Sequence, residues 1–267
     1  KYLAIIHVSI FLNSVDVNCG DLQRGWDAYK KNDFKTALEE WKPLTQIGDP
    51  AAQFNIGYMY DNGQGVRQNF AEAIKWYRLS AEQQYSRAQF NLAVMYSNGE
   101  GVPQNYKEAI KWYRLAAKAG IAEAQYNLGV LYDQGGGVKR DLKQAVKFYK
   151  LAAIQGHIKA QFNLGVMYDS GDGVNQNFQE AAKWYRLAAS QNYSNAQFNL
   201  GIMYQEGEGV LQDNIRAHMW WNIASSRGHK SAKVKRKDIE SKMTSKAIEQ
   251  AQELARECIN SNYRSCS

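Results

Sequence analysis

The chain has 267 residues, of which 45% are apolar, 22% charged and only three proline, a composition that excludes a disordered or collagen-like protein. A formal charge of +7 permits anionic partners but is spread along the chain, and none of the three cysteines falls inside the periodic region, so no disulfide framework builds it. The 17 Tyr and 7 Trp recur periodically and therefore belong first to a repeated unit.

In chain order, a basic Lys1 precedes an apolar run over residues 3–12, too short to span a bilayer but of the length of a signal-peptide core. The run lacks a 3.6-residue periodicity, which disfavours a buried amphipathic helix. We expect residues 1–19 to be an export signal removed near Gly20 or Asp21, placing the protein in the periplasm or outside the cell. If the run is not cleaved, the expectation becomes cytoplasmic. Cys19 is a poor lipidation site, because Val17 and Asn18 stand where small residues are wanted.

Residues 20–48 form a first, atypical hairpin with Gly25, Trp26 and Tyr29 on one helix and Ala37 and Trp41 on the next. Five units follow at 49–84, 85–120, 121–156, 157–192 and 193–228. They are marked by Ala52-Gln53, Ala88-Gln89, Ala124-Gln125, Ala160-Gln161 and Ala196-Gln197, with no slip in spacing. Each unit predicts a helix A, a glycine loop and a helix B. In the first, Ala52, Ile56, Met59 and Tyr60 make a core-facing stripe. Gly57 sits inside it, as do Gly129, Gly165 and Gly201 in later copies, where a neighbouring helix is expected to approach closely.

The loop pairs, such as Gly63/Gly65 and Gly135/Gly137, are read as left-handed helix ends. Asn69, Asn105, Asp141 and Asn177 are read as N-caps of helix B. Trp76, Trp112 and Trp184 fall on the packing register of helix B. A phosphate-binding reading of Gly-x-Gly fails because no copy completes Gly-x-Gly-x-x-Gly and no strand pattern precedes one. Residues 229–267 read as C-terminal capping helices, the first carrying Lys230, Lys233, Lys235, Arg236 and Lys237, a basic stretch read as a solvated face. Cys258 and Cys266 either bridge or remain free thiols.

The combination Leu-Gly-x-x-Tyr, Gly-x-Gly-Val and Ala-x-x-Trp-Tyr-x-x-Ala-Ala at a 36-residue period resembles the Sel-one-like repeat family of the tetratricopeptide-repeat superfamily. The resemblance implies an all-α, right-handed α/α solenoid of helix hairpins, no cofactor or metal, and work as an adaptor or scaffold, often in exported bacterial proteins and membrane-associated complexes. The short turn between Tyr29 and Ala37, eight residues against thirteen from Tyr60 to Ala73, is similar to an ordinary tetratricopeptide hairpin.

By analogy with such arrays, helix A lines a concave face. The candidate partner-binding residues are Phe90, Tyr126, Phe162 and Phe198, then Val130 and Val166, then Asp133 and Asp169. An aromatic stripe beside carboxylates suits a protein or peptide with apolar and basic residues. The competing reading is that these aromatics only pack between turns. The asparagines Asn55, Asn91, Asn127, Asn163 and Asn199 are read as interhelical hydrogen-bonding groups, because every copy carries one.

Catalysis is disfavoured. Some cysteine-rich relatives of the family were linked to β-lactam hydrolysis, but they pair cysteines within each repeat. No Ser-x-x-Lys, Gly-x-Ser-x-Gly or Cys-x-x-Cys occurs, and the four histidines lack metal-ligand spacing. The expected function is a non-enzymatic interaction scaffold with nucleic acid disfavoured and no membrane span after signal removal. A cell-wall glycan-binding module is the alternative.

Overall fold

A computed structural model describes residues 20–264 and residue 266. The apolar run, its expected cleavage region and Cys19 lie outside the described residues. Two compact units divide the described residues: 20–92 together with 100–102, and 93–99 together with the described residues from 103 onward. The first contains α1 (Leu22–Lys30), α2 (Phe34–Gln46), α3 (Pro50–Asn62), α4 (Phe70–Glu82) and the start of α5 (Ser86–Asn98). The second contains the rest of α5, then α6 (Tyr106–Lys118), α7 (Ala122–Gln134), α8 (Leu142–Ile154), α9 (Ile158–Ser170), α10 (Phe178–Ser190), α11 (Ser194–Glu206), α12 (Asn214–Ser226), α13 (Lys230–Glu240) and α14 (Ser245–Asn260). The described residues hold no strand, and the fold is the expected all-α class built from helix hairpins.

Each hairpin is closed by side chains that the period repeats. Helix A ends on a left-handed glycine, Gly63, Gly135, Gly171 or Gly207, whose N–H donates to the carbonyl four residues earlier. The loop then folds back on that end. Gln68, Gln104, Gln176 and Gln212 each donate a side-chain N–H to the carbonyl of Asp61, Ser97, Asp169 and Gln205, at 2.7–2.8 Å, and Arg140 does the same to Asp133. Helix B starts on Asn69, Asn105, Asp141 and Asn177, whose side-chain oxygens accept from backbone N–H groups of the first turn, as the capping pattern implied.

The second loop glycine does not cap the helix. Gly137 has φ +72°, and a Cβ there would lie 2.2 Å from Cβ of Tyr106, the first residue of helix B in the preceding repeat. It is a contact glycine between repeats. Within helix A, a Cβ at Gly57, Gly129 or Gly165 would fall 2.5–2.9 Å from the ring of Tyr77, Tyr149 or Tyr185 on the same hairpin's helix B, which is the close approach expected there.

The core of each unit is made of small residues from helix A, aromatic residues from helix B, and a buried amide ladder. Ala52, Ala88, Ala124, Ala160 and Ala196 are fully buried, and the adjoining glutamines are no more than 5% exposed. Gln89, Gln125, Gln161 and Gln197 donate Nε2–H to the carbonyls of Ala81, Ala117, Ala153 and Ala189 in the last turn of the preceding helix B, each at 3.1 Å. Gln125 and Gln161 accept in return from Gln155 and Gln191. The Ala-Gln pair that reveals the period is therefore the stacking joint between successive hairpins, each buried amide giving its N–H to the helix before it.

In the atypical first hairpin, Asp33 N–H donates to the carbonyl of Ala28, as Asn69 N–H does to Tyr60. A Cβ at Gly25 would strike Trp41, as one at Gly57 would strike Tyr77. Ala28, not Tyr29, is thus in register with Tyr60, a correction of one residue that leaves Tyr29 free to join a surface cluster. At the other end, His218 is fully buried on α12 and lies 2.8 Å from Glu240 of α13, while Arg236 donates to Asn222 at 2.7 Å. Arg236 is thus a structural member of the basic stretch, and Lys230, Lys233 and Lys237 are exposed. Cys258 and Cys266 form a disulfide beside Tyr263, whose hydroxyl accepts from Arg227.

Candidate protein-interaction surface

The residues of the expected binding stripe sit among a hydrogen-bond relay that crosses the hairpins from α3–α4 to α9–α10. Tyr149 on α8 donates to Asp133 of α7 at 3.3 Å, and Tyr185 on α10 donates to Asp169 of α9 at 3.1 Å. In the first unit Tyr77 donates to Asp61 at 3.1 Å and accepts from Asn91 at 3.0 Å. Tyr113 likewise accepts from Asn127 at 3.1 Å. Asn163 and Asn199 hydrogen-bond Tyr149 and Tyr185 in the same way. Burial pushes the hydroxyls of Tyr77, Tyr149 and Tyr185 far up from their usual range, so they stay protonated and donate to the carboxylates. Asp61 itself is pushed up by burial, with the Tyr77 bond opposing that shift. These asparagines are interhelical groups, as expected, and the aspartates are tied to the same relay.

The stripe aromatics have a packing role on one side. Tyr126 stacks on His157 at 4.5 Å and meets Tyr149 at 5.8 Å. Phe162 meets Tyr193 at 5.1 Å and Tyr185 at 5.8 Å, and Phe198 stacks on His229 at 4.6 Å. All three remain half-buried, as do Phe90, Val130, Asp133 and Asp169, while Val166 is 36% exposed. In the second unit the structure brings Tyr126 and Val130 of α7, Phe162 and Val166 of α9, and Phe198 of α11 to equivalent registers of successive A helices. Phe90 belongs to the first unit. The helix-B tryptophans pack as expected: Trp112 and Trp184 are buried, and Trp76 lies half-buried against the core of the first unit.

Among the described residues no group of three or more His, Cys, Asp or Glu side chains is placed to hold a metal ion, and no helix is long and apolar enough to cross a membrane. The molecule is of the helix-hairpin repeat class.

The family model of the Sel1 repeat matches residues 50–85, 86–121, 122–157, 158–193 and 194–229. A Sel1 repeat protein from Oxalobacter formigenes is 34% identical over 79% of this chain and 87% of its own, with a TM-score of 0.75. A protective antigen present in uropathogenic Escherichia coli strains, displaying an SLR fold, is 31% identical over 92% of this chain, with a TM-score of 0.80. This chain spans 54% of that antigen's length. No curated protein matches. The chain belongs to the Sel1 repeat family. Proteins of this family are generally non-catalytic scaffolds that bind protein partners.

Proposed function

We propose that this protein is an exported scaffold that holds a protein or peptide partner against the helix-A face of its central repeats. The observation that carries the reading is the recurrence of half-buried aromatics at one register of α7, α9 and α11, each followed four positions later by an aliphatic residue, Val130, Val166 or Ile202, that is half-buried or exposed. The buried glutamines and tyrosines and the half-buried asparagines beneath already hold the hairpins together. Val130 and Val166 take no part in that relay and offer apolar surface to a partner. Replacing both with lysine (Val130→Lys, Val166→Lys) should abolish capture of the partner from an envelope extract while leaving the far-ultraviolet circular dichroism unchanged. Capture equal to that of the parent would refute the face.

Export is supported by the apolar run at residues 3–12 and by the Cys258–Cys266 bond, since disulfides persist in oxidising compartments. N-terminal sequencing of the native protein should give a start near Gly20 or Asp21. An intact chain recovered from the cytoplasm would overturn this part of the reading.

A further inference from the structure

The first compact unit has a cleft of about 230 Å³ walled by the rings of Trp26, Tyr29, Trp41, Phe54 and Tyr58, with Asn55 and Arg87 as its other lining groups. Its origin is a substitution in the atypical hairpin. Trp41 stands 36 positions before Tyr77, and its indole N–H donates to the carbonyl of Leu22 at 3.2 Å, so no hydroxyl is offered to Asn55. In the later copies that hydroxyl engages the asparagine, whereas Asn55 has no hydrogen-bond partner among the described residues. Arg87 is exposed, without an ion pair among the described residues, and no carboxylate lines the cleft.

The walls are fixed before anything binds. Trp26 lies flat on Tyr29, with centroids 5.3 Å apart and planes 2° from parallel, and the Tyr29 hydroxyl donates to Gln64 at 2.6 Å. Burial raises the Tyr29 hydroxyl above its ordinary range, which keeps it a donor. Trp26 and Tyr58 nevertheless remain 39% and 37% exposed. A rigid aromatic wall gains from apolar burial while losing little side-chain entropy. The volume suits one large side chain.

We propose that this cleft binds an extended peptide segment in which an aromatic or large aliphatic side chain stands next to a carboxylate. The apolar side chain fills the space between Trp26, Phe54 and Tyr58, the Asn55 amide pairs with the peptide backbone, and Arg87 takes the carboxylate in a charge-assisted hydrogen bond. This site lies in the other unit from the Val130/Val166 face and selects the opposite charge, so it stands or falls independently of that reading.

The full chain should be titrated by calorimetry with acetyl-Gly-Glu-Phe-Gly-amide and with its Gln counterpart, blocked ends removing any terminal charge. The Glu peptide should bind about tenfold more tightly, and Arg87→Ala should erase that preference without abolishing binding. Trp26→Ala should weaken both peptides roughly tenfold, and Asn55→Ala should weaken both without changing their ratio. Should Trp26→Ala unfold the protein, Arg87→Ala at the exposed rim still decides the case. Val130→Lys with Val166→Lys should leave all of these affinities unchanged. Equal binding of the Glu and Gln peptides, a preference that survives Arg87→Ala, or binding of an N-acetylglucosamine trimer without binding of either peptide would overturn the proposal.

Discussion

Single residues in these repeats act in pairs that the 36-residue period keeps together. A glycine inside helix A faces the ring of a helix-B tyrosine whose hydroxyl reaches an aspartate four positions further along helix A. In the copy where Ala93 replaces that glycine, Ser97 replaces the aspartate and hydrogen-bonds Tyr113. Helix propensity alone says that Gly165→Ala should stabilise α9 by about 1 kcal/mol. A Cβ there would lie 2.7 Å from the Tyr185 ring, and overpacking of this kind costs about 1–3 kcal/mol. The substitution should therefore destabilise the protein in urea unfolding. Adding Asp169→Ser should cost less in that background than alone, with a coupling of roughly 0.5 kcal/mol or more. Strict additivity would mean the ring does not move. The sequence shows the glycine and the aspartate but not the ring between them, because their contact crosses a hairpin.

At the level of the element, the loop between helices A and B holds two glycines with different duties. Gly135 ends α7 in a left-handed turn, and Gly137 abuts Tyr106 of the preceding helix B. Gly137→Val combines a β-branched residue at φ +72° with a backbone-proximal clash, and should destabilise the protein by about 2 kcal/mol or more. Lys139→Ala, an exposed change in the same loop, should stay within about 0.5 kcal/mol. Urea midpoints measured side by side check this, and equal midpoints would contradict the contact role. The capping asparagines of helix B were legible because capping is local. The role of the second glycine was not, because its partner belongs to another repeat.

For the whole molecule, the buried His218 and the half-buried His157 contribute to how stability depends on pH. His218 is held below its ordinary range chiefly by burial, with Glu240 opposing the shift. His157 is lowered chiefly by burial, and its Nδ1 accepts the N-cap bond from Ala160 N–H at 3.1 Å. Folded pKa values below the unfolded ones mean the unfolded chain binds more protons as pH falls. The associated stability is complete above the ordinary histidine range and is lost as pH drops through it towards the depressed folded values. The melting temperature should therefore be lower at pH 5.0 than at pH 7.5. His157→Asn, which keeps a capping oxygen and removes the titrating ring, should flatten that dependence. A melting temperature that rose on acidification over this interval would show that other groups control it. The raised Asp61 carboxyl acts in the opposite sense, its stabilising share being lost as pH rises through its folded value.

The period, the two helices of each unit, the N-caps of helix B and the family are legible in the amino-acid order alone. Those features depend on residues within a dozen positions of one another, and five copies repeat them in register. The sequence also carried the asparagine ladder, though not its partners. The tertiary structure decided what each repeated polar group touches: Gln125 and Gln161 at the joints between hairpins, Tyr149 and Tyr185 on their aspartates, and Gly137 on the repeat before. It also decided the register of the first hairpin, where a shortened loop puts Ala28 in place of Tyr29. The cleft around Trp26 and Asn55 follows from that hairpin. It needs side chains from α1, α2, α3 and α5 in one place, and no local spacing in the chain encodes such a convergence.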